Sequence, residues 1–154
     1  LELFDEMITQ GVIPDVVTIL ILLSACNHAG LVDEGQMIFN DMERSYYLTP
    51  TIEHYTCMVD LFARAGFFDK ALTIIHKMPK IPDYFPVWTA LLGACQKLGN
   101  VELGKWAFLH ALQLDRSHAI TFILMCNIYI DAQMWMEVEE IEALRNHLRE
   151  GFCG

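Results

Sequence analysis

Six histidines, five cysteines and twenty carboxylic side chains give this chain the residue types from which metal centres and acid–base pairs are built. Their spacing decides what chemistry is open to it. A zinc-activated water of the deaminase kind needs a His and two Cys as ligands and a Glu to move the proton, read as H-x-E followed by P-C-x-x-C. None of His28, His54, His76, His110, His118 and His147 has a Glu two residues on, and no two of the cysteines stand in C-x-x-C spacing. The sequence also lacks H-E-x-x-H, the phosphate-cradling G-x-x-x-x-G-K-[ST] and G-x-G-x-x-G. Cys26 and His28 are close, but no third and fourth ligand follow at workable spacing. The segment is expected to be no enzyme and to hold neither metal nor cofactor. Four of Cys26, Cys57, Cys95, Cys126 and Cys153 lie in apolar runs and read as small core residues in a reducing compartment.

Ten Lys and Arg against twenty Asp and Glu leave a formal charge of −10. That surplus argues against a surface that coats phosphate throughout, because non-specific nucleic-acid affinity comes from clustered Lys and Arg. It argues equally against adhesion to anionic lipid. Hydrophobic residues at 54% with 19% charged supply enough apolar side chain to offset the entropy of ordering, which excludes disorder. The most apolar window runs from Val16 to Cys26, roughly half of the ~20 residues that cross a bilayer. It predicts a buried helix and no membrane insertion. The opening Leu-Glu-Leu-Phe-Asp-Glu-Met carries no basic leader or cleavage site, which is uninformative for a piece of a longer chain.

The elements that position these residues repeat. Segments 16–51, 52–83, 84–117 and 118–151 overlay, with Ala29-Gly30, Ala65-Gly66, Leu98-Gly99 and Ala132-Gln133 at one place in the unit. Small or compact residues follow at Gly35, Ala71, Gly104 and Val138, and Ser24-Ala-Cys26 corresponds to Gly93-Ala-Cys95. A recurrence of about 34 residues marks a solenoid of units, none of which buries its apolar face alone.

Within each unit two helical patterns flank the Gly punctuation. The spacing predicts helices at about 17–28 and 31–44, 53–64 and 67–78, 87–97 and 101–114, and 119–130 and 134–149. Pro14, Pro50 and Pro82 fall in connections, Pro79 stops its helix, and Pro86 suits a first turn. No segment alternates with period two. The helical aromatics Phe39, Phe62, Trp88, Trp106, Phe108, Tyr129 and Trp135 read as packing between helices. The fold class is all-α, an α-α superhelical solenoid of helix-turn-helix repeats. Leu3-Phe-Asp-Glu-Met7 matches Ile38-Phe-Asn-Asp-Met42, so the chain is expected to open inside the second helix of an earlier unit. The apolar face left there would need a covering repeat or partner.

Several stretches together resemble a family. Val12-Ile-Pro-Asp-Val-Val-Thr18, Leu23-Ser-Ala-Cys-Asn-His-Ala-Gly-Leu-Val-Asp-Glu-Gly35, Glu53-His-Tyr-Thr-Cys-Met-Val-Asp-Leu61, Val87-Trp-Thr-Ala-Leu-Leu-Gly-Ala-Cys95 and Gly99-Asn-Val-Glu-Leu-Gly104 are similar to plant pentatricopeptide-repeat proteins. The likeness is to the class whose standard, long and short repeats alternate. It implies that 1–15 ends a truncated standard repeat, 16–51 is a long repeat and 52–83 a short one. Segments 84–117 and 118–151 resemble the two tetratricopeptide-like E motifs that follow such arrays, with 152–154 a tail.

The resemblance implies a mitochondrial or chloroplast protein of RNA metabolism, whose partner is single-stranded organellar RNA. Members ending in E motifs mostly select sites for C-to-U editing, with editing-factor proteins and a deaminase as further partners. Such repeats read about one base each through two or three side chains. The main pair is the fifth and last residue of the repeat, which in 52–83 is Thr56 and Asp83. That pair resembles the guanine-preferring one; a carboxylate accepts from the guanine N1–H and N2–H₂ edge while a hydroxyl donates or accepts. The truncated repeat retains only its last residue, Asp15, which leans toward guanine or uracil. The long repeat has Leu20 with Thr51, and a Leu cannot hydrogen-bond a base edge. Where the family clamps a base by apolar contact, the long repeat has Val17 but the short one departs with Glu53.

Segment 1–51 holds eight acids and one base, whereas 52–83 holds four of each, so the reading repeat escapes most of the repulsion that −10 implies. Arg64, Lys70, Lys77 and Lys80 are candidates to lie near phosphate. The alternative function is a protein-interaction scaffold in an assembly such as a ribosome or respiratory complex, with the acidic Glu137-Val-Glu-Glu-Ile-Glu142 run meeting a basic partner.

Overall fold

The computed structural model describes residues 2–79 and 84–151. Among the described residues there are nine helices and no strand, which is the all-α helical-repeat class expected from the sequence. They fall into two compact units, one ending at Pro79 and the other holding the last four helices. The first contains α1 (Glu2–Thr9), α2 (Val16–Ala29), α3 (Val32–Arg44), α4 (Ile52–Arg64) and α5 (Phe68–Lys77). The second contains α6 (Phe85–Leu98), α7 (Val101–Leu114), α8 (Ala119–Asp131) and α9 (Trp135–Glu150).

Both units are wired alike. In the first, α2 packs on α3 and α4, and α4 on α3 and α5; in the second, α6 packs on α7 and α8, and α8 on α7 and α9. Each hairpin thus buries the next hairpin's first helix, as a repeat with a single apolar face must. Ile19, Leu23, Met42, Met58 and Val59 are wholly buried in one core, and Leu91, Leu92, Ala107 and Met125 in the other.

One turn joins the helices of every pair. Gly30, Gly66, Gly99 and Gln133 all have positive φ, between 59° and 83°. The next residue's N–H donates to a carbonyl five residues back in each case: Leu31 to Cys26 and Asn100 to Cys95 at 2.9 Å, Phe67 to Phe62 at 2.8 Å, Met134 to Tyr129 at 2.9 Å. This left-handed cap satisfies carbonyls the helix leaves orphaned. The small residues have a steric reason. A Cβ on Gly35 would meet Leu61 Cδ2 at 2.5 Å and Cys26 Cβ at 3.4 Å, and one on Gly104 would meet Ile128 Cδ1 at 2.8 Å. The second helix of each of these pairs therefore lies close to its own first helix and to the next one.

Helix ends follow local chemistry. Met78 is extended (ψ 140°) and stops α5 at Lys77, as the residue before a proline prefers. Helix α6 starts at Phe85 with Pro86 in its first turn, two residues before the expected start, because proline's fixed φ suits that turn. Most helical aromatics pack between helices: Phe39 with Tyr55 at 5.4 Å, Trp88 with Trp106 at 5.2 Å, Phe108 with Phe122 at 5.5 Å. Trp135 departs from that expectation. It opens α9 and is 60% exposed.

Candidate nucleic-acid interface

Thr56 sits in the second turn of α4, and the start of that helix is fixed from two sides. His54 is buried, its Nε2 2.8 Å from the Val16 carbonyl at the head of α2. A carbonyl only accepts, so Nε2 carries the proton. Nδ1 accepts the Thr51 N–H at 3.2 Å, which satisfies a donor that the helix start would leave unpaired. The heads of successive first helices are thereby tied together.

Further along, α2 and α4 touch through polar pairs. Ser24 Oγ lies 3.6 Å from Cys57 Sγ. Asn27 Nδ2 donates to Asp60 at 2.6 Å, and Arg64 pairs with the same carboxylate at 3.6 Å. Thr56, half-buried between these groups and His54 in sequence, donates its hydroxyl proton to the Ile52 carbonyl at 2.8 Å. With its proton held there, the hydroxyl presents lone pairs rather than a donor to whatever faces it.

Asp15 caps α2. Its carboxylate accepts the Thr18 N–H and the Thr18 hydroxyl, both at 2.8 Å, and these bonds hold its pKa below the ordinary carboxylate value. Glu53 is held ionised in the same sense by the Thr51 hydroxyl, which donates to it at 2.6 Å. A fixed negative charge thus stands three residues before Thr56. On the neighbouring helix Val17 and Ile21 are 57% and 64% exposed, and Leu20 is half-buried.

Of the basic side chains expected near phosphate, Arg64 is engaged by Asp60. Lys70 donates to Gln36 at 2.9 Å and lies 5.3 Å from the rings of Phe62 and Phe67. Lys77, on α5, lines a cleft with residues of α3 and with Met58 and Phe62 of α4, and Thr56 is not among the described residues that line it. Asp83 and Lys80 lie outside the described residues. The structure thus places Thr56 and Asp15 in one unit, through the His54–Val16 bond that sets α4 against α2. The sequence reading missed His54. Its signal was a Thr followed three residues later by a side chain able to accept, the pattern of a capping box.

Among the described residues no three or more of His, Cys, Asp and Glu gather as a metal site. Cys26 and Cys95 are buried, with Cys57 and Cys126 half-buried and all four unpaired as thiols. Burial pushes the Cys95 thiol up to about 12.

A sequence model of the PPR repeat family matches residues 17–47 and 53–81. The chain carries pentatricopeptide repeats. Its relatives in Arabidopsis thaliana are pentatricopeptide repeat-containing proteins. At4g33990 is 46% identical over 142 residues, 92% of this chain and 17% of that protein. The chloroplastic At3g49170 is 44% identical over 99% of this chain and 18% of that protein. The mitochondrial At3g11460 is 43% identical over 97% and 23%. The chain therefore spans about a fifth of the length of these relatives, and the names of the latter two agree with the organellar placement expected from the sequence. Among solved structures, the pentatricopeptide repeat protein PPR10 from maize aligns with TM-score 0.72 at 19% identity, over 97% of this chain and 22% of that one. PPR10 in complex with an 18-nt psaJ RNA element aligns equally well, at 20% identity over the same shares of the two chains. At that identity the pentatricopeptide likeness to PPR10 is one of fold.

Proposed function

We propose that this chain takes part in sequence-specific recognition of single-stranded RNA in a mitochondrion or chloroplast, with Thr56 and Asp83 reading guanine in segment 52–83 and Asp15 serving the preceding repeat. The observation that carries this reading is Thr56. It lies on the first helix of the second matched repeat, half-exposed, its head end fixed by His54 and its hydroxyl proton held by Ile52. A pre-set acceptor loses little ordering entropy on meeting a base. PPR10, of the same fold, has been solved with RNA.

The finer reading is site selection for C-to-U editing. Segments 84–117 and 118–151 then act as E motifs that position a deaminase supplied by the same chain or by another. The exposed Val17 and Ile21 of the long repeat suit contact with an editing-factor protein. The ionised Glu53 weakens phosphate approach beside Thr56, so neighbouring repeats supply most of the affinity.

The test is fluorescence anisotropy on the full-length protein with RNAs that differ only at the base opposite 52–83. Guanine should bind best by roughly tenfold, about 1.4 kcal/mol, and binding should weaken as salt rises. Equal binding of all four bases would overturn base reading and leave the protein-interaction scaffold.

A further inference from the structure

In a chain of charge −10, three arginines line one cleft. Arg116, just past α7, and Arg145 and Arg149 on α9 line a hollow of about 420 Å³ floored by Phe122 and Ala119 of α8. Among the described residues no carboxylate lines it. Arg64 in the other unit has its Asp60, but among the described residues none of these three arginines has an ion pair. Arg116 and Leu148 also border a second hollow of about 320 Å³, walled by Leu109, Leu112 and Leu144. An apolar trough thus runs into a cationic one. Leu109 and Leu144, 59% and 37% exposed, stand on its facing rims.

The trough exists because α7 and α9 both pack on α8 and not on each other. Helices α3 and α5 leave a similar gap, but the Lys70–Gln36 hydrogen bond spans it and the hollow there is only about 120 Å³. Nothing among the described residues spans the gap between α7 and α9.

We propose that this trough docks an acidic amphipathic helix of a partner protein, which seats leucine-like side chains between Leu109 and Leu144 and directs carboxylates onto Arg116, Arg145 and Arg149. Guanidinium groups take carboxylates in two-pronged pairs, and a helix laid in a groove presents anchors at every third and fourth residue. RNA fits the walls poorly. They are aliphatic, and among the described lining residues the one ring, Phe122, is buried at 1% exposure, so these residues open no aromatic platform for base stacking.

The probe is a fluorescein-labelled alanine-rich helical peptide of about four turns. Leucines lie on one stripe, followed on the same stripe by glutamates; a second peptide has lysines in their place. Titration into the folded chain should give saturable binding of the glutamate probe, with Kd on the order of tens of micromolar. Binding should weaken at least tenfold in Arg145→Glu/Arg149→Glu. It should weaken likewise in Leu109→Ser/Leu144→Ser, which alters rim positions and leaves the helical circular dichroism unchanged. The lysine probe should not bind. Absence of saturable glutamate-probe binding up to about 1 mM, or equal binding of both probes, would overturn the proposal. Oligouridine binding that is lost in the arginine variants would overturn it as well and give the trough to RNA. Base preference at Thr56 is read independently, so failure of one proposal leaves the other standing.

Discussion

His54 Nε2 lies 2.8 Å from the Val16 carbonyl oxygen, 38 residues earlier in the chain. The bond joins the heads of α2 and α4 and is part-buried. Asp15, which caps α2, and Thr56, in the second turn of α4, are placed relative to each other through it. A backbone carbonyl at a helix head is shape-independent of its side chain, so this link fixes register without demanding a particular residue at position 16.

Replacing His54 with Ala removes both bonds and opens a cavity. The expected loss is about 2–4 kcal/mol, read as a lower urea midpoint with unchanged slope. A change below about 0.5 kcal/mol would show that the link is dispensable.

Two helical glycines should answer oppositely to alanine. At Gly93, in α6, an added Cβ meets nothing within 4 Å, so Gly93→Ala should stabilise by about 0.5–1 kcal/mol through helix propensity. At Gly35 the added Cβ would meet Leu61, itself 2% exposed. Overpacking there costs about 1–3 kcal/mol and outweighs the propensity gain. Thermal melts of the two variants check the signs.

Much of this fold was legible because the repeat states it several times. Gly30, Gly66 and Gly99 announce a left-handed cap, and Gln133 adopts the same conformation at φ 59° because its flanking hydrogen bonds match those of its counterparts. Small residues at Gly35 and Gly104 were visible as a pattern, but their reason, the approach of Leu61 and Ile128 from the next hairpin, needs coordinates. The site was less legible. Thr56 and Asp15 are proposed from family resemblance, whereas His54 works through a bond to a backbone atom that sequence does not advertise. The trough of Arg116, Arg145 and Arg149 was hidden because its members come from two helix ends that only packing on α8 brings together.

Burial of Cys95 makes stability fall in alkali. Its folded pKa, about 12, lies above the ordinary 9.0, so the folded state holds the proton that the unfolded state releases. Stability from this group is complete below about pH 9 and is lost as pH rises from 9 toward 12, by up to about 1.4 kcal/mol per unit. Tyr46, Tyr55 and Tyr129, also raised by burial, add to the loss above pH 10. Urea midpoints between pH 8 and 11 should decline less steeply in Cys95→Ala than in the wild type; identical slopes would contradict this origin.

The central claim, that Thr56 reads a base, is tested most directly by a crossed binding measurement on the full-length protein. Wild type and Thr56→Asn, with Asp83 kept, are each titrated with RNAs bearing guanine or uracil opposite 52–83. The account predicts that wild type prefers guanine and that the variant moves toward uracil, a reversal of roughly tenfold or more in the ratio of affinities. Parallel loss of affinity for both RNAs, or no change in their ratio, would contradict it.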